Sequence, residues 1–77
     1  MEEDISIVIR RSKRSKEKKL ELSNRDLTSL PYALLNLKHL EQLDLSNNQM
    51  QILGQEISRL ENLKVLDLSN NKLSAIP

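Results

Sequence analysis

Leucines alternate with single polar residues at three places along the chain: Leu20-Glu-Leu22, Leu43-Asp-Leu45 and Leu66-Asp-Leu68. Spacing of two puts neighbouring leucines on one side of an extended backbone, so three short strands are predicted, each with one face covered. Elsewhere the apolar spacing changes to three. Leu34 with Leu37, and Ile57 with Leu60, suit a short helical turn between strands. The segments are also copies of one another. Leu40–Met50 and Leu63–Leu73 agree at seven of eleven positions and lie 23 residues apart. The same step of 23 joins Leu20 and Leu22 to the second strand, Leu27 to Met50, Leu30 to Leu53 and Ile76, and Pro31 to Gly54 and Pro77. A fixed period in this range is the mark of stacked units, each too small to bury its own apolar face.

The pattern Leu-x-x-Leu-x-Leu-x-x-Asn-x-Leu, as it stands at Leu40–Met50 and Leu63–Leu73, resembles the leucine-rich-repeat family. The resemblance covers residues 20–77. The spacer form, Leu-Pro-x-x-(Leu/Ile)-x-x-Leu, is similar to that of the intracellular 23-residue group containing the Ras-pathway scaffold proteins, Erbin, Scribble and the Roco GTPases. What the resemblance implies is an α/β solenoid. Its short parallel strands lie on the concave side, short helical or irregular turns lie on the convex side, and a capping helix precedes the first strand. Covered parallel strands favour aliphatic residues, which are the residues present. Asn48 and Asn71 fall at the turn after a strand, where an amide can satisfy backbone groups left unpaired inside the stack. Pro31 is placed to open the first convex turn as its first helical residue. Gly54, at the matching place one repeat later, is expected to loosen that corner.

The expected organisation is an arm or cap at 1–19 followed by about two and a half repeats at 20–77. Arg25 in place of the turn Asn, and Glu17 in place of the first signature Leu, mark an atypical first repeat, as terminal repeats usually are. At the other end the signature runs undiminished to Ile76-Pro77. Leu66, Leu68, Leu73 and Ile76 would lack a neighbour there. The expectation is that the chain is the amino-terminal piece of a longer solenoid, or that self-association or another protein covers this end.

Residues 1–19 begin with Glu2, Glu3 and Asp4 and carry seven basic side chains and Glu17 between Arg10 and Lys19. Acids first and bases last match the polarity of a helix, and Ile5, Val8 and Ile9 would share one helical face. Ile5, Ile7 and Ile9 also alternate, so a strand competes with the helix for the same residues. The basic run reads either as a solvated face or as an anion-binding patch at Arg10, Arg11, Lys13 and Arg14.

Composition narrows the chemistry. In 77 residues there is no cysteine, one glycine and one histidine, and the formal net charge is +1. Thiolate metal sites and disulfides are therefore ruled out, and a glycine-rich phosphate loop is unavailable to Gly54 alone. His39 lies between a convex turn and a strand, with no partner set for catalysis. An enzyme is not expected, nor is any cofactor, metal or small-molecule substrate. No apolar run approaches the ~20 residues that span a membrane, and no basic-then-apolar secretory leader is seen. A cytoplasmic or nuclear protein is expected, with a protein as partner rather than nucleic acid or membrane.

In the family resembled, the outward residues of the strands form the binding face. Here they are Lys19, Glu21 and Ser23, then Gln42, Asp44 and Ser46, then Val65, Asp67 and Ser69, with Asn24, Asn47 and Asn70 beyond. Glu21, Asp44 and Asp67 would form an acidic column facing a basic partner. The function expected is a protein-binding scaffold or adaptor in intracellular signalling. Two alternatives differ in class: a regulatory segment of a larger Roco-type enzyme, and a polyanion or anionic-membrane adaptor acting through residues 10–19.

Overall fold

The computed structural model describes residues 4–74. Among them are one α-helix, α1 (Ile5–Ser15), three strands, β1 (Lys19–Glu21), β2 (Gln42–Asp44) and β3 (Val65–Asp67), and two 3₁₀ helices, Tyr32–Asn36 and Gln55–Arg59. The strands pair in parallel in the order β1-β2-β3. Lys19 stands opposite Gln42 and Gln42 opposite Val65, so the pairing register is the 23-residue repeat itself. Stacking each copy on the last is what turns sequence period into sheet register.

The core forms behind the sheet. Leu20, Leu22, Leu43 and Leu45 from the first two strands meet Leu34, Leu37, Leu40, Met50, Leu53 and Leu60, all buried. Leu63, Leu66, Leu68 and Leu73 pack against this cluster and are only partly covered. Stability is therefore concentrated around the second repeat, which has a neighbour on each side. Ile76 and Pro77 lie outside the described residues, as do Glu2 and Glu3.

Asn48 links the first two turns. Its Oδ1 accepts from Arg25 N at 2.9 Å and Leu27 N at 3.0 Å, and its Nδ2 donates to Leu22 O and Leu45 O, both at 2.9 Å. Asn71 repeats the arrangement one copy later, accepting from Met50 N at 3.1 Å and donating to Leu45 O and Leu68 O at 2.9 and 3.0 Å. Each amide thus serves the backbone of its own repeat and of the one before. Asn24, Asn47 and Asn70, exposed beyond the strands, shape the backbone. All three adopt φ 57°, the left-handed conformation that Asn tolerates better than most residues. They are the residues that swing the chain out of each strand.

The competition between helix and strand at Ile5–Ile9 resolves as helix. Asp4 caps it, its Oδ1 accepting from Ser6 N at 2.8 Å. Lys16, at φ 59°, closes the other end, its N–H donating to Ser12 O at 3.0 Å. Ile9 and Ser12 are buried, with Ile5 and Val8 beside them on the core, whereas Ile7 points to solvent. Spacings of three and four thus face the first repeat, as a capping helix requires. Ser12 Oγ shares a hydrogen bond of 3.2 Å with His39 Nε2, which ties the cap to the end of the first convex segment.

Two corner expectations need correction. Pro31 does not open the first 3₁₀ helix from inside; it is the cap before it, extended at ψ 135°, as a proline ring permits. Gly54 holds the same place before the second, at φ −79° and ψ 170°, a conformation open to any residue. The expected loosening has no positive-φ basis there, and the atoms nearest an added Cβ would be the carboxylate end of the Glu56 side chain.

Candidate protein-binding face

Three strands in register bring nine predicted site residues onto the sheet and the turns that follow it, and their surroundings divide them. Lys19, Gln42 and Val65 lie side by side and exposed. Val65 keeps 53% of its surface in contact with solvent, although it is a branched apolar residue in a strand. Together with Asp44 and Asp67 they line a shallow depression of about 120 Å³. Lys19 Nζ lies 3.2 Å from Glu21 Oε1, so the first repeat partly neutralises its own acid.

The acidic column has a local task. Asp44 Oδ1 accepts from Ser46 N at 2.9 Å and from Ser46 Oγ, at 2.6 Å. Asp67 does the same with Ser69 N and Oγ, at 3.0 and 2.7 Å. Hydrogen bonds from the Ser69 backbone and then its hydroxyl hold the Asp67 carboxyl below its usual range. These aspartates brace the exit from the strand in the way short acidic side chains brace turns. Ser46 departs from the expected contact set. It is 7% exposed, covered by repeats on both sides, whereas Ser69 is exposed and Ser23 half-buried. Asn48 and Asn71 stand where the turn role placed them.

A charge ladder beside this face escaped the sequence reading. Glu41 receives Lys18 Nζ at 3.3 Å and Lys64 Nζ at 3.4 Å, one on each oxygen. Hydrogen bonds from Lys18 and then Lys64 lower its pKa. The signal was present: positions 18, 41 and 64 are one column of the 23-residue register and read Lys, Glu, Lys. Also missed were Tyr32 and Ile52, both largely exposed, which border a groove of about 480 Å³ with Leu30 and Glu56. Neither belongs to the repeated leucine pattern.

Arg10, Arg11, Lys13 and Arg14 are exposed on α1, on the end of the molecule away from β3. Arg11 lines a groove between the helix and β1, near Glu17 and Glu21. The basic patch and the sheet face are therefore separate surfaces. Among the described residues no group of three or more His, Asp or Glu side chains converges to hold a metal, and no helix is long and apolar enough to cross a membrane.

Comparison with known proteins agrees with this architecture. The family model described as leucine-rich repeats in two copies matches residues 38–77, just over half of the chain. A solved leucine-rich-repeat protein of Leptospira interrogans superposes with a TM-score of 0.55 over 99% of the chain, at 25% sequence identity. The chain spans 25% of the length of that protein. No curated protein matches it. With stacked parallel strands, an asparagine at each matching turn and a family match across the second and third repeats, this chain belongs to the leucine-rich-repeat family.

Proposed function

We propose that the exposed sheet face binds a protein partner, and that the column Lys19, Gln42 and Val65 forms the centre of the contact. The observation that carries this reading is Val65, an apolar side chain 53% exposed in a strand and flanked by residues that differ from repeat to repeat. Burying such a side chain is favourable, and a column that varies from repeat to repeat is where specificity can reside. Glu21, Asp44 and Asp67 contribute an acidic margin that steers a basic partner; Asp67 stays ionised because its serine bonds favour the charged form. Family membership supports the general role, since these repeats commonly mediate contacts between proteins. The narrower reading is a scaffold or adaptor of the intracellular 23-residue group, acting in the cytoplasm in signalling, without catalysis of its own.

Site-specific photo-crosslinking tests it. A photoreactive residue at Gln42, on the face, is compared with one at Ser58, on the convex side. A discrete adduct from Gln42 alone, abolished by Val65→Lys and weakened by Asp44→Lys with Asp67→Lys, is the expected result. Adducts from Ser58 alone, or an adduct indifferent to Val65→Lys, would place the contact elsewhere.

A further inference from the structure

The outer face of α1 has a composition that capping the repeats does not require. Residues Ile5–Ser15 include four basic side chains and no acid. Ile7, Arg10 and Arg14 follow one another at spacings of three and four, so they form one stripe, with Arg11 and Lys13 on its flanks. That stripe lies opposite Ile9 and Ser12, which are buried against the repeats. Arg10, Lys13, Arg14 and Lys16 form no ion pair among the described residues, in contrast to Lys18 and Lys19, which do. Charge is also segregated along the chain: residues 1–19 hold seven basic and four acidic side chains, the remainder five and seven. A cationic end is thus joined to an anionic body.

Within the cationic stripe sits Ile7, 46% exposed. Solvation of the arginines accounts for the charge but not for an isoleucine among them. A duplex nucleic acid would engage the charges through its phosphates and offer Ile7 little. An anionic bilayer surface engages both, since headgroups attract the bases while the interface accepts an apolar side chain. The helix is about 16 Å long, so it would lie along such a surface rather than enter it. Its place at the β1 end leaves the sheet face open.

We propose that the outward face of α1, with Ile7 heading the stripe of Arg10 and Arg14 and Lys13 beside them, is a peripheral docking surface for membranes rich in anionic lipid. Sedimentation of the full chain with vesicles tests it, using phosphatidylcholine alone and phosphatidylcholine with phosphatidylserine. Binding is expected only to the anionic vesicles and should weaken as salt is raised. The triple variant Arg10→Gln, Lys13→Gln, Arg14→Gln should lower partitioning roughly 100-fold. Ile7→Ser should lower it roughly five-fold while keeping the salt dependence. Both variants alter only exposed side chains, and the circular dichroism spectrum of the parent is expected of each. Unchanged partitioning of either variant, equal sedimentation with neutral vesicles, or tighter binding to a duplex DNA fragment at the same salt would each overturn the proposal.

Discussion

Replacing Asn48 with alanine removes a side chain that is 2% exposed and hydrogen-bonded to five backbone groups. Two of them are the N–H groups of Arg25 and Leu27, which donate to Asn48 Oδ1. The carbonyls of Leu22, Leu45 and Ser46 lose one donor each. An orphaned buried polar group costs about 1–3 kcal/mol. Two stranded donors therefore imply a loss of about 2–4 kcal/mol, with water recovering part of it at the half-buried Arg25 and Leu27. A domain of this size has a total stability of roughly 4–11 kcal/mol, so the variant keeps only a fraction of it. Each kcal/mol moves the melting point of such a domain by about 4–8 °C. Thermal melting by circular dichroism should then show a fall of roughly 10–25 °C. Asn71→Ala provides the internal control. Asn71 is half-buried and its Oδ1 has one backbone donor, Met50 N, so about 1–2 kcal/mol is expected. A melting point for Asn48→Ala within ~3 °C of the parent, less than 1 kcal/mol of effect, would refute the accounting. So would a larger loss from Asn71→Ala.

Three further outcomes follow from the same geometry. Ile9→Ala should cost about 2–4 kcal/mol in urea unfolding, because Ile9 is buried between cap and repeats, whereas Ile7→Ala should stay within ±0.5 kcal/mol. Burial first, and the nearby Lys16 charge second, lower the pKa of His39 below 6.5. The unfolded state therefore binds the proton more tightly, so stability is full above that value and declines as pH falls through it, towards the lower folded value. His39→Gln should flatten the melting point between about pH 7.5 and 5.5, a window above that of the paired carboxylates Asp4, Glu41 and Asp67. Gly54→Ala should raise stability by about 0.4–1 kcal/mol, because its backbone already suits alanine and Glu56 can swing aside; a loss would mean that the Glu56 carboxylate is held in place.

Several features were legible because covalent spacing dictates them. A period of 23 residues sets which side chains coincide once copies stack, and the observed pairing of Lys19 with Gln42, and of Gln42 with Val65, is that period and nothing more. The three strands, the asparagine turns and the two convex turns all follow from spacing two, three and 23. The Lys18–Glu41–Lys64 ladder is equally legible, since its three positions are 23 residues apart. Other features depend on what lies against a residue, and spacing does not reveal that. Ser46 and Ser69 are the same residue in the same column, yet one is buried and the other exposed, because only the second repeat is covered on both sides. Ile5–Ile9 satisfied two periodicities at once. The helix prevailed because Asp4 and Lys16 cap it and because its Ile9–Ser12 face finds the leucines of the first repeat and His39. Sequence by itself determined the repeat, its register and the leucines that fill the core. Tertiary structure decided which copies of a repeated residue are covered and which side of the first helix meets water. Periodicity is a property of the chain, whereas burial is a property of neighbours.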